Sequence, residues 1–150
     1  MTKILMVCLG NICRSPLAEG LLRFKTDSIK VQVASAGTGD YHVGEPACEF
    51  SIKIASENLL DISNHRARQF TKKDFSTYDI IYVMDENNYK NVIALASNET
   101  DKNKVKYILN EVFPGDDMSV PDPYKNSYFA FKNIYKMLDE ACEIIANKYK

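Results

Sequence analysis

Five residues separate Cys8 from Arg14 in the run Cys8-Leu9-Gly10-Asn11-Ile12-Cys13-Arg14-Ser15-Pro16. An apolar stretch, Lys3 to Val7, leads into this run, and a segment with apolar residues at helical spacing follows it. A loop that feeds a helix N-terminus presents unpaired backbone N–H groups and partial positive charge, so it can wrap an anion. A thiol at the base of such a loop is biased toward the thiolate, the nucleophilic form. A guanidinium at the far end can grip two oxygens of one phosphate while its charge favours that thiolate. Ser15 adds a hydroxyl that can hydrogen-bond the sulfur. The chemistry to expect is attack by Cys8 on a bound phosphate ester.

Such an attack needs a proton for the departing oxygen and then a base to activate water. Asp122, held between Pro121 and Pro123, is a candidate for both, because the prolines favour extended backbone around it. The same Val-Pro-Asp-Pro-Tyr run also fits a turn that merely starts the last helix, and spacing alone leaves both readings open.

These residues need elements to position them. Lys3 to Val7 reads as a strand, and Pro16 marks the first helical position of a helix with Leu17, Leu21 and Phe24 on one face. Ile29, Val31 and Val33 alternate as a second strand, ended by Ala36-Gly37-Thr38-Gly39; Phe50, Ile54 and Ala55 follow at helical spacing. Thr71 with Asp74 resembles a capping box, and Asp79 to Met84 reads as a buried strand. A helix from about residue 85 to 97 and a strand from Val105 to Leu109 come next. Phe131, Ile134, Tyr135, Leu138, Cys142 and Ile145 mark the apolar face of a long last helix. Strands alternating with helices imply an α/β fold with a mostly parallel sheet covered on both faces. Ligands bind such sheets at the carboxyl ends of strands, which is where Cys8 lies.

Composition narrows the partners. The chain has 150 residues, a size that suits one domain over residues 1–150. Its formal charge of -1 argues against a nucleic-acid partner, and Lys72-Lys73 reads as solvated surface. No apolar run approaches the ~20 residues of a membrane span, and no signal-peptide apolar region precedes the first strand, so the expected location is cytoplasmic. There the four cysteines are expected as thiols. No metal-ligand spacing is present beyond Cys8 and Cys13, which the loop uses, so no metal or other cofactor is expected. Nucleotide-loop and dinucleotide glycine patterns are absent too.

Cys8 to Pro16, Ser35-Ala36-Gly37-Thr38, His65-Arg66-Ala67-Arg68-Gln69, Met84-Asp85 and Asp122-Pro123-Tyr124 together resemble the low-molecular-weight protein tyrosine phosphatases. The motifs fall in the family's order across nearly the whole chain. A lone Cys-x5-Arg would be weak; its pairing with a distant Asp-Pro-Tyr is far more specific. The resemblance implies a three-layer doubly wound sandwich around a four-stranded parallel sheet of order 2-1-3-4. It further implies that Cys8 becomes a phosphocysteine, that Arg14 clamps the phosphate and transition state, and that Asp122 serves as acid and then base. Leu9, Gly10, Asn11, Ile12, Cys13, Arg14 and Ser15 would form the phosphate-binding loop. Asn11 would take a left-handed conformation, with Ser15, Ser35 and His65 as further braces of the loop. Asp85 fits either another brace or a helix N-cap, with the cap preferred. Cys13 would pair reversibly with Cys8 as a redox guard or simply fill space under the loop, while Cys48 and Cys142 read as structural.

Tyr41 and Tyr124 resemble the aromatic walls of the family's active-site mouth, between which the flat ring of a phosphotyrosine fits. Ile12 favours that substrate, because relatives acting on phosphoarginine carry threonine there. The implied partner is a tyrosine-phosphorylated protein or peptide, with no membrane or nucleic acid; oligomeric state stays open, with a monomer expected. A protein-arginine phosphatase is the main alternative. Arsenate reductases of similar fold need a cysteine relay that Cys48 and Cys142 do not match, and a non-catalytic phosphate binder would need neither nucleophile nor acid. Three departures stand out: Lys125 where relatives often carry a second tyrosine, Tyr41 where tryptophan is frequent, and no glycine in Asn58 to Ile62.

Overall fold

A computed structural model describes all residues, Met1–Lys150. Four strands, β1 (Thr2–Cys8), β2 (Val31–Gly37), β3 (Ile80–Val83) and β4 (Val105–Tyr107), form one sheet of order β2-β1-β3-β4. All three pairings are parallel, with β1 in register from Thr2 against Val31 to Cys8 against Gly37. The helices are α1 (Arg14–Lys25), α2 (Glu49–Glu57), α3 (Lys73–Thr77), α4 (Glu86–Ile93), α5 (Glu99–Asn103) and α6 (Tyr128–Asn147).

β1 is apolar from Ile4 to Val7 because helices cover both faces of the sheet, so neither pleat direction meets water. Ile4, Met6 and Tyr82 face one way into a core shared with Leu17 and Leu21 of α1, Ile54 of α2, and Leu138 and Cys142 of α6. Leu5, Val7, Ile81 and Val83 face the other way, onto Phe75 of α3 and Val92 of α4. The result is the expected three-layer doubly wound sandwich. No helix is long and apolar enough to cross a membrane.

Several local expectations are corrected. α1 begins at Arg14, placing Pro16 inside the first turn, where a missing N–H costs no intrahelical bond. Its buried face carries Leu17, Ala18, Leu21 and Leu22, and the half-buried Lys25 ion-pairs with Asp139 and Glu143 of α6, so Phe24 falls off that face and is exposed. Ile29 precedes β2 in a turn around Asp27, whose side chain accepts from the Ile29 N–H. The helix expected over residues 85–97 stops at Ile93, where the Leu95 and Ala96 N–H groups bond back only three residues, to Val92 and Ile93; Asn98 then caps a separate helix by accepting from the Asp101 N–H. β4 ends at Tyr107, and a 3-10 turn, Ile108–Glu111, follows.

The glycine-free stretch after α2 has its own solution. Leu59 takes the left-handed conformation with φ 65°. Its N–H bonds the Ser56 carbonyl while the Leu60 N–H bonds Ala55, closing the helix in a Schellman arrangement.

Candidate active site

Cys8 is the last residue of β1, buried to 3% exposure, and the loop from Leu9 to Cys13 carries the chain into α1. The loop hugs the end of β2. Thr38 and Gly39 donate to the carbonyls of Cys8 and Leu9, each at 2.9 Å. Gly37 permits this approach, since a Cβ there would lie 2.6 Å from the Leu9 carbonyl oxygen.

Two groups reach the Cys8 sulfur: the Ser15 hydroxyl at 3.0 Å and the Asn11 N–H at 3.3 Å. Asn11 holds the loop in shape. Its φ of 57° is left-handed, a region that Asn tolerates better than most residues. Its amide donates to Ser15 Oγ at 2.8 Å and to Ser35 Oγ at 3.0 Å, and its Oδ1 accepts the Arg68 N–H at 3.0 Å. His65 Nε2 meets the Asn11 carbonyl at 2.7 Å. Because Ser15 accepts from Asn11, its own proton is free to point at sulfur. Ser35 likewise accepts from Asn11 and donates its hydroxyl hydrogen bond to Glu19 Oε1.

Arg14 is 2% exposed, and its guanidinium is divided among several partners. Nη1 donates to Asp85 Oδ2 at 2.7 Å and to the Val120 carbonyl at 2.9 Å. Nη2 lies 3.7 Å from Asp122 Oδ2, and Nε has no partner in the protein. Burial works against the charge, yet the Cys8 sulfur and the Asp85 and Asp122 carboxylates outweigh it and raise the arginine's pKa above its usual value. Asp85 combines both roles expected of it: Oδ2 braces Arg14 while Oδ1 caps α4 through the Asn88 N–H at 2.8 Å.

Asp122 reaches this place because Val120 is fastened at both ends. The Val120 N–H donates to the Met84 carbonyl at 2.8 Å, beyond the end of β3, and its carbonyl takes Arg14. Asp122 Oδ1 accepts the Tyr124 N–H at 3.1 Å, leaving Oδ2 toward the guanidinium. The prolines therefore shape a loop that carries a carboxylate to the site, and α6 begins only at Tyr128.

Cys8, Arg14, Ile12 and Asp122 line one cavity of about 210 Å³, with Tyr41, His42 and Tyr124 around it. Leu9, Gly10 and Cys13 complete its wall, so every loop residue but Asn11 and Ser15 lines the cavity; those two brace it from behind. Tyr41 is 72% and Tyr124 43% exposed, so both rings stand at the opening. His42, unanticipated from the sequence, packs edge-on to Tyr124 with ring centroids 5.5 Å apart and bonds Glu45. Cys48 is the other surprise. Its sulfur lies 2.9 Å from that of Cys13, so it is no inert filler; Cys142, by contrast, is fully buried in the core.

Comparison with known proteins agrees with this geometry. A family model described as low molecular weight phosphotyrosine protein phosphatase matches residues 3–150. The human low molecular weight phosphotyrosine protein phosphatase is 35% identical over 150 residues, covering 97% of this chain and 94% of the human one. Wzb of Vibrio vulnificus, solved in complex with benzylphosphonate, superposes with a TM-score of 0.88 at 34% identity over 98% of both chains. YwlE of Bacillus subtilis superposes with a TM-score of 0.87 at 23% identity over 99% of this chain and 98% of YwlE, a likeness of fold alone. The chain thus belongs to the low molecular weight phosphotyrosine protein phosphatase family of hydrolases.

Proposed function

We propose that this chain hydrolyses phosphotyrosine through a phosphocysteine on Cys8. The observation that carries the reading is the division of Arg14. Nη1 is committed to Asp85 and Val120, which leaves Nε without a partner and Nη2 facing only Asp122 at 3.7 Å, on an arginine that lines the cavity with Cys8 and Asp122. Nε and Nη2 together are a fork suited to two oxygens of one phosphate.

The Cys8 thiolate attacks phosphorus, and an S–P bond forms as the bond to the phenolic oxygen breaks. The electron pair goes to that oxygen, which takes a proton from Asp122. The Asp122 carboxylate then takes a proton from water as the water attacks phosphorus. The S–P bond breaks, inorganic phosphate leaves, and the pair returns to the Cys8 sulfur, where the Ser15 hydroxyl and the Asn11 N–H receive the charge. Uncatalysed phosphate monoester hydrolysis is so slow that enzymes accelerate such reactions up to ~10²¹-fold, so most of the work falls to preformed donors and Arg14.

Tyr41 and Tyr124 offer flat apolar faces at the opening, and Ile12 an apolar wall within. A tyrosyl ring gains stacking there, whereas a charged phosphoguanidinium gains nothing from Ile12. YwlE is an arginine phosphatase, so phosphoarginine is the competing substrate. Hydrolysis of matched phosphotyrosine and phosphoarginine peptides decides between them: the former is expected to be faster, and the reverse order would overturn the assignment. Cys8→Ser is expected to abolish turnover of either.

A further inference from the structure

Cys13 and Cys48 are 35 positions apart in sequence, yet their sulfurs lie at 2.9 Å. Each is the residue before a helix, α1 and α2, and neither side chain caps its own helix. Both ends of the pair are fastened. The Cys48 N–H donates to the Ile12 carbonyl at 2.8 Å, and Ser51 Oγ donates to the Cys13 carbonyl at 3.0 Å. Closing 2.9 Å to a disulfide bond of about 2.05 Å takes a side-chain adjustment of under about 1 Å.

We propose that Cys13 and Cys48 are a dithiol that a hydroperoxide converts to a disulfide, giving the protein a redox site separate from Cys8. Cys48 is the half-exposed member and Cys13 the buried one. The hydrogen-bonded contact between the two sulfurs pulls the Cys48 thiol down to about 7, while the same contact and burial push Cys13 up. Cys48, the more exposed sulfur, is therefore the member that ionises first.

In the first step the Cys48 thiolate attacks a peroxide oxygen. An S–O bond forms and the O–O bond breaks; the departing hydroxide takes the Cys13 proton and becomes water. In the second step the Cys13 thiolate attacks the Cys48 sulfur, forming the S–S bond as the S–O bond breaks, and the second hydroxide leaves to be protonated to water. Two thiols are oxidised and one hydrogen peroxide is reduced to two waters. The Cys8–Cys13 pairing that the family resemblance implies competes for the same Cys13 sulfur. With Cys48 as its partner, Cys13 is withdrawn from Cys8.

Thiol mapping tests this without reference to catalysis. The full chain carrying Cys8→Ser, treated with hydrogen peroxide, is expected to lose two of its three remaining thiols and to yield a peptide pair joined through Cys13 and Cys48, reversed by dithiothreitol. Adding Cys48→Ser is expected to abolish the crosslink. In the unsubstituted chain the Cys13–Cys48 link is expected to exceed the Cys8–Cys13 link. Retention of all three thiols in Cys8→Ser, or predominance of a Cys8–Cys13 link in the unsubstituted chain, would overturn the proposal.

Discussion

Arg14 Nη2 approaches Asp122 Oδ2 to 3.7 Å, although 106 positions separate Arg14 from the Val120 carbonyl that its Nη1 bonds. One guanidinium thereby joins the loop at the end of β1, the cap of α4 through Asp85 and the strap that carries Asp122. The distance to Asp122 is an approach without a hydrogen bond, so this carboxylate stays available for proton transfer while Asp85 bears the structural load of the charge.

Removing the Asp85 carboxylate strands a buried arginine. Asp85→Ala is expected to lower stability by about 3 kcal/mol or more, since breaking one side of a buried pair costs about 3–5 kcal/mol and losing a cap about 1 kcal/mol. Asp85→Asn keeps a cap acceptor for Asn88 and should recover about 1 kcal/mol of that loss. Urea unfolding of the three chains checks both.

Asp122→Ala should act on the leaving group. Loss of a general acid costs about 10²–10⁴-fold, so kcat for a phosphotyrosine peptide is expected to fall by that factor. A substrate with a strongly acidic leaving phenol needs no proton and should lose much less in its first step. Equal losses for both substrates, read from pre-steady-state release of the phenol, would remove Asp122 from the acid role.

The loop and the carboxylate that meets it were legible because their signals are local. Cys8, Arg14 and Ser15 lie within one turn of chain, and Pro121 and Pro123 mark Asp122 through backbone restriction alone. Asn11 needed the family resemblance, and the structure supplies its reason in a left-handed φ and three side-chain bonds. What stayed hidden depends on tertiary approach. Val120 contributes a backbone carbonyl, for which no side chain advertises the role, and Cys48 meets Cys13 only after α2 folds against the loop. Asn98 with Asp101 is a readable cap for the separate short helix that follows α4. Phe24 and Ile29 show the opposite limit: both are apolar at the expected spacing, yet exposed, Phe24 because it lies off the buried face of α1 and Ile29 because it precedes β2 in the turn at Asp27.

Leu59 offers a stability gain. Its side chain is 87% exposed and its backbone left-handed, a conformation costing roughly 1–2 kcal/mol for a residue with a Cβ. Glycine removes that cost but adds about 0.4–1 kcal/mol of unfolded-chain entropy. Leu59→Gly is therefore expected to stabilise the fold by about 0.5–1 kcal/mol, read as a rise in Tm; a fall would mean that the side chain contributes packing.

The Cys48 thiol, held down to about 7 by the Cys13 hydrogen bond, has its charged form above that pH. Its alkylation by iodoacetamide should rise through pH 7 and level off before the usual thiol range, as followed by peptide mass spectrometry. Cys13→Ser, whose hydroxyl is a different donor, should displace the midpoint; an unchanged midpoint would separate Cys48 reactivity from Cys13.

The proposed mechanism passes phosphate through the Cys8 sulfur. Rapid quenching of the Asp122→Ala chain with p-nitrophenyl phosphate tests it, because the good leaving group lets the first step proceed while the base for the second is gone. The predicted result is a phosphorylated peptide with the phosphate on Cys8, absent from Cys8→Ser. Phosphate on any other residue, or turnover by Cys8→Ser at the rate of the unsubstituted chain, would contradict it.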